Sequence, residues 1–146
     1  MRFSLVLFAF AALPAGLAAQ TAEDSAGVRA AVVDYVEGIY RVDTARIVRS
    51  VRPEMAKRGY YVPRNQTAYT SSPMTYDQLI NVAKTFNAKG GLNAETAIKQ
   101  VTILDILNQT ASAKLVADWG VDYMHLAKHD GRWMIVNVLW QSPPPK

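Results

Sequence analysis

Asp122-Tyr-Met-His-Leu-Ala-Lys-His129, Asp130-Gly131 and Arg132-Trp-Met-Ile-Val-Asn-Val-Leu-Trp140 together decide the fold. Two apolar, β-prone runs flank an Asp-Gly pair. That is the strongest short-range hairpin signal, because the favoured tight turn needs positive φ at both central residues. A two-residue turn sets the register: Lys128 opposite Trp133, Leu126 opposite Ile135, Met124 opposite Asn137 and Asp122 opposite Leu139. One face then carries Asp122, Met124, Leu126, Trp133, Ile135, Asn137 and Leu139. The other carries Val121, Tyr123, His125, Ala127, Met134, Val136, Val138 and Trp140. A solvated antiparallel sheet should show a polar side, yet both faces are largely apolar. Helices are expected to cover one face and a second copy of the chain the other, making a homodimer through the outer sheet face.

Working backwards, Ala111 to Ala117 and Ile98 to Leu107 read as two further strands joined at Asn108-Gln109-Thr110. Gly120, after Asp118-Trp119, marks a bulge or corner. Before Gly91 the apolar period changes from 2 to 3.6. Thr75 and Gln78 form a capping box, with Met74 and Leu79 placed for the hydrophobic staple. The helix they start turns Leu79, Ile80, Ala83 and Phe86 inward and ends at Gly90-Gly91. Tyr60 to Pro73 reads as irregular, apart from a short β-prone run at Tyr60-Tyr61-Val62. Asp43 caps a short helix to about Val51, and Pro53 stops it. Residues 24–41 form a first helix, whose stripe is Val28, Ala31, Val32, Tyr35, Val36, Ile39 and Tyr40. Helices first and an antiparallel meander second make an α+β domain, with helices laid on one face of a sheet.

The start of the chain has a different character. Met1-Arg2 precedes an apolar run from Phe3 to Leu13, then Pro14-Ala-Gly-Leu-Ala-Ala-Gln20. A positive start, a short apolar core and a small-residue exit read as an export signal, with cleavage after Ala18 or Ala19. The apolar core is too short to span a bilayer, which needs ~20 residues. The expected location is secreted or periplasmic, with no membrane-spanning segment after signal removal. Residues 20–146 then form a single domain.

Half the residues are hydrophobic, so a real core is available. No cysteine is present, which excludes disulfides and Cys-zinc sites. The formal charge of +4 owes much to Arg41, Arg46, Arg49, Arg52, Lys57, Arg58 and Arg64. No nucleic-acid recognition motif accompanies them, so they read as a solvated helix face and nucleic acid is not an expected partner. His125 and His129 lie about 13 Å apart along a strand, a poor metal pair. No P-loop, Rossmann glycine run or nucleophile elbow appears, and neither metal nor cofactor is expected.

The order of these elements, ending in Asp130-Gly-Arg-Trp133, resembles the nuclear transport factor 2-like superfamily over residues 24–141. Tyr35-Val-Glu-Gly38 to Asp43, continuing to Arg52-Pro-Glu-Met-Ala-Lys-Arg-Gly59, looks like its putative lumazine-binding subgroup, with SnoaL-like polyketide cyclases as a further point of likeness. The resemblance implies a cone of curved sheet, about four to six strands, closed by three N-terminal helices, in proteins that are usually dimers. The superfamily hosts isomerases, dehydratases, cyclases and non-enzymatic binders, so fold alone chooses no activity.

Candidate residues follow. In ketosteroid isomerases of the superfamily a tyrosine on the first helix donates to the substrate oxyanion, and Tyr35 matches that position. The alternative, which the sequence favours, is a core tyrosine with its hydroxyl on solvent or a carbonyl. Asp122 points into an apolar cone if its face is the concave one, where its pKa would rise and it could serve as acid or base. Cyclase-like relatives often carry an acidic residue at a similar distance before the Asp-Gly turn. The alternative is a strand-start Asp that binds turn amides. Asn137 and Met124 share that face; Trp119 and Trp133 could stack on a flat heterocycle or simply pack. The family's separate base aspartate has no match, since Arg52-Pro53-Glu54-Met55 stands there and Glu54 reads as helix-end surface. The expected function is therefore an exported binder of a small, partly apolar molecule, more binder than enzyme. Alternatives are an isomerase, dehydratase or cyclase using Asp122 and Tyr35, and a non-catalytic dimeric interaction module.

Overall fold

The computed structural model describes residues 15–144, with side-chain surroundings from residue 22; the expected export signal lies largely outside the described residues. Helix α1 (Ala15–Tyr40) buries the predicted stripe completely or nearly so, from Val28 through Tyr35 to Tyr40. Each fully buried Val, Leu or Ile of such a stripe contributes about 1.5–3 kcal/mol. Helix α2 (Thr44–Ser50) begins where Asp43 Oδ1 accepts from the Ala45 amide at 3.0 Å. Ile47 and Ser50 are its buried residues, whereas Val48 faces solvent.

Strand β1 (Val51–Tyr61) occupies a segment that the sequence reads as helix end and irregular chain. Met55, Lys57 and Gly59 point inward; Ala56, Arg58 and Tyr60 point out. Pro53 and Glu54 fall where pairing slips between Val51 and Ala56, an irregularity that tolerates a residue lacking an N–H donor. Glu54 is thus exposed on a strand, paired with Arg52, and not at a helix end. Strand β2 (Thr70–Met74) returns antiparallel to β1 before helix α3 (Tyr76–Thr85). The third helix therefore follows a strand pair. Its capping box is formed as predicted, Thr75 Oγ1 accepting from Gln78 and Gln78 Oε1 accepting from the Thr75 amide. Regular helix stops at Thr85, before Gly90-Gly91.

Strands β3 (Lys99–Ile106), β4 (Thr110–Ala117), β5 (Gly120–His129) and β6 (Arg132–Gln141) form the meander. The curved, unclosed sheet has the order β2-β1-β6-β5-β4-β3. All its pairs are antiparallel except β1 with β6. Asp130 and Gly131 both have positive φ, 49° and 77°, as the tight turn demands. Gly120 turns the β4–β5 corner at φ +132°, and a Cβ there would stand 2.1 Å from the Gln141 carbonyl oxygen.

The predicted register holds for Lys128–Trp133 and Leu126–Ile135, then slips by one at a bulge. Beyond it His125 faces Asn137, Met124 faces Val138 and Asp122 faces Trp140. Val136 is the extra residue, and every side chain after it changes faces. Val138 and Trp140 turn inward; Asn137 and Leu139 turn out. The outer face mixes Tyr123 and Leu139 with Lys114, His125 and Asn137, so it is less apolar than the unbroken register implied.

Candidate functional site

A cavity of about 170 Å³ opens between α1, α3 and the inner face of the sheet, lined by Tyr35, Ile39, Lys57, Met74, Leu79, Val82, Phe86, Trp119 and Trp140. Tyr35 and Ile39 come from consecutive turns of the α1 stripe. The α3 cap aims Leu79 and Val82 at the opening. Lys57 is there because strand alternation sends every second β1 residue inward. Trp140 is there because of the β6 bulge, and because Gly59 opposite leaves its indole room; a Cβ on Gly59 would lie 2.1 Å from that ring.

Trp119 is positioned by Tyr40. The Tyr40 hydroxyl donates to the Ile98 carbonyl at 2.6 Å and accepts from the Asp118 amide at 2.8 Å, fastening the β4–β5 corner to α1. The Trp119 ring then meets Tyr40, Phe86 and Tyr35 edge-on, with centroids 5.3, 5.6 and 6.2 Å away.

The polar floor is a buried cluster. Lys57 Nζ donates to the Tyr35 hydroxyl at 2.5 Å and lies 3.5 Å from Asp122 Oδ1. Trp119 Nε1 donates to Asp122 Oδ2 at 2.6 Å. Tyr35 and Asp122 are fully buried and the Lys57 side chain is 5% exposed. Burial pushes the Lys57 ammonium down from its ordinary range, partly offset by Asp122. Burial pushes the Asp122 carboxyl up, partly offset by Lys57, Trp119 and Tyr35. Burial, reinforced by the Asp122 carboxylate, holds the Tyr35 hydroxyl protonated well above the ordinary phenol range. The 3.5 Å separation also exceeds the 2.7–2.9 Å usual for a charge-assisted N–H···O bond. Desolvation thus draws the pair toward amine and carboxylic acid.

The structure brings three of the expected residues together, Tyr35, Asp122 and Trp119, the first two bridged by Lys57. Met124 is core, packed on the same face without lining the cavity. Trp133 lies elsewhere under α1: its Nε1 donates to Asp24 Oδ1 at 3.0 Å, its ring abuts Gly27, and Lys128 sits 5.1 Å above it. Asn137, expected to point into the cone, is on the outer face 3.1 Å from His125 Nδ1, because the bulge reverses its side. Lys57, which the sequence places on a solvated helix face, and Trp140, which it places on the sheet face opposite Asp122, both line the cavity. The signal for Lys57 was the alternation Met55-Lys57-Gly59, hidden by neighbouring arginines that do read as surface. Two of these, Arg46 and Arg49, pair with Asp34 of α1. Among the described residues no group of three or more His, Asp or Glu is placed to hold a metal ion, and no helix is long and apolar enough to cross a membrane.

With this geometry in view, the sequence model of a family described as "Putative lumazine-binding" matches residues 23–141. Among solved structures, the chain is similar to an NTF-2 like protein of unknown function from Silicibacter pomeroyi DSS-3, at 20% identity and TM-score 0.66, covering 84% of this chain and 98% of that one. An NTF2-like protein of unknown function from Shewanella baltica OS155 matches at 17% identity and TM-score 0.60, covering 85% and 97%. A Novosphingobium aromaticivorans protein described as "Putative Scytalone Dehydratase" matches at 9% identity and TM-score 0.55, covering 86% and 88%. At these identities the likeness is one of fold. No curated protein matches the chain.

Proposed function

The chain belongs to the family described as "Putative lumazine-binding", and from that membership and the cavity's geometry we propose that it binds a small, flat, partly apolar molecule over Lys57. The observation that carries this reading is an apolar cavity with a donor-rich floor. Lys57 Nζ directs one N–H at the Tyr35 hydroxyl and lies 3.5 Å from Asp122 Oδ1; even as a neutral amine it has a second N–H, with no other acceptor among the described residues. A carbonyl or similar acceptor of the ligand completes it, while the rings of Trp119, Trp140 and Phe86 enclose a planar body. The volume suits one or two rings: it is close to the ~150 Å³ of an engineered cavity that takes benzene. Native mass spectrometry of protein purified from its own host tests the reading. One small molecule per chain, lost in Lys57→Met, is expected; an empty wild-type chain that also takes up no planar carbonyl compound would contradict it.

The proposal includes export, on the strength of residues 1–19. Amino-terminal sequencing of the exported protein should begin after Ala18 or Ala19, and a chain retaining Met1 inside the cell would refute it. It also includes a homodimer through the outer sheet face. A second reading, an isomerase, dehydratase or cyclase, is favoured by Lys57 bridging Tyr35 and Asp122, a contiguous chain of groups that can pass a proton. It predicts solvent-deuterium incorporation into a bound ketone, abolished in Asp122→Asn; equal incorporation in that variant would reject it.

A further inference from the structure

We infer that Lys57 captures an aldehyde or ketone group of the ligand as an imine. The inference rests on the binding reading above and names the class of molecule the cavity takes. Lys57 Nζ is the one amino group among the cavity's lining residues, held at its floor with apolar walls around it. Imine formation releases water, and the apolar walls around Nζ favour the condensed product. It also needs an unprotonated amine, and burial beside Asp122 shifts Lys57 in that direction. The two groups needed to move protons flank the nitrogen: the Tyr35 hydroxyl at 2.5 Å and Asp122 at 3.5 Å.

The step balances without any further reactant. The Nζ lone pair forms the C–N bond to the carbonyl carbon, and the carbonyl π pair moves to oxygen. One ammonium proton passes to that oxygen through the Tyr35 hydroxyl, giving a neutral carbinolamine. The proton of the Asp122 carboxylic acid then joins the hydroxyl, the C–O bond breaks and water leaves. The nitrogen lone pair forms the C=N bond, and the protonated imine faces the Asp122 carboxylate. Trp119 Nε1 holds that carboxylate's other oxygen at 2.6 Å, so the counter-ion is kept in place as the charge develops.

The test is reductive trapping of the full chain with benzaldehyde and sodium cyanoborohydride, followed by peptide mapping. The six other lysines serve as internal controls. Tryptophan fluorescence of the same samples before reductant reports occupancy, since Trp119 and Trp140 line the cavity. The expected result is benzylation of Lys57 roughly tenfold or more above any other lysine, because an exposed lysine near pKa 10.4 is almost wholly protonated at neutral pH. The Lys57 label should vanish in Lys57→Arg, with surface labelling unchanged. Quenched fluorescence without selective Lys57 labelling would overturn the imine and leave the binding reading standing. Neither quenching nor labelling would overturn both. The wild-type map alone decides the matter if the arginine variant does not fold.

Discussion

Lys57, Tyr35 and Asp122 share one buried volume, and their protonation follows from where they sit. Burial drives Lys57 down and Asp122 up, so both shifts weaken the ion pair in the direction of amine and acid. Asp122→Asn reads how far that shift goes, because an amide matches a protonated carboxyl in charge. It should cost about 1 kcal/mol in urea denaturation, the scale of one hydrogen bond. A loss of about 4 kcal/mol would instead mark a broken buried ion pair. Gly59→Ala makes the opposite kind of test, one of shape alone. Its methyl meets the Trp140 indole, so overpacking by about 1–3 kcal/mol and displacement of Trp140 from the cavity are expected, read as a lower unfolding midpoint and weaker ligand quenching. At this scale the sequence was readable where the chain is regular. Tyr35 on its helical stripe and Asp122 on its strand face both followed from period alone. Asn137 did not, because one extra residue at Val136 reverses everything after it, and nothing in an apolar run announces a bulge.

At the scale of elements, β1 is the instructive case. Its inward residues are a methionine, a lysine and a glycine, and its start holds a proline. None of these carries strand propensity; partnership with β2 and β6 imposes the strand. By contrast α3 declares itself through local chemistry, so Thr75→Ala should cost about 1 kcal/mol and loosen the Leu79–Val82 side of the cavity, measurable by hydrogen exchange along α3. Helix α1 is fastened to β3 through Glu37, which accepts from Lys99 and Arg41. Burial alone would raise the Glu37 carboxyl, but those two bonds outweigh it and hold it below the ordinary glutamate range. A carboxyl lowered by folding stabilises the fold above its unfolded pKa of ~4.3, and that contribution disappears as pH falls through the lower folded value. Urea midpoints measured from pH 6 to 3 should therefore fall, and Glu37→Gln should flatten the descent. An unchanged slope in the variant would assign the acid lability elsewhere.

For the whole molecule, a curved wall roofed by helices leaves one inner space, and the chain fills most of it with its own side chains. What remains is a volume for one or two rings rather than for a large substrate. The outer wall is where the proposed dimer forms, with Tyr123 and Leu139 paired across β5 and β6. Light scattering at micromolar concentration should give twice the chain mass, and Tyr123→Lys should shift it toward the monomer. A wild-type monomer would end the dimer proposal. Fold class was legible from the sequence because the final hairpin and the helical periods are strong local signals. The cavity was not, since it depends on a parallel β1–β6 pairing that joins residues some eighty positions apart.

The most direct measurement is isothermal titration calorimetry of benzaldehyde against the wild-type chain and Val82→Phe, which fills the cavity from α3. One saturable site per chain is expected, weakened by roughly tenfold or more in the variant, or about 1.4 kcal/mol. Equal binding by the two chains, or no saturable heat in either, would contradict it.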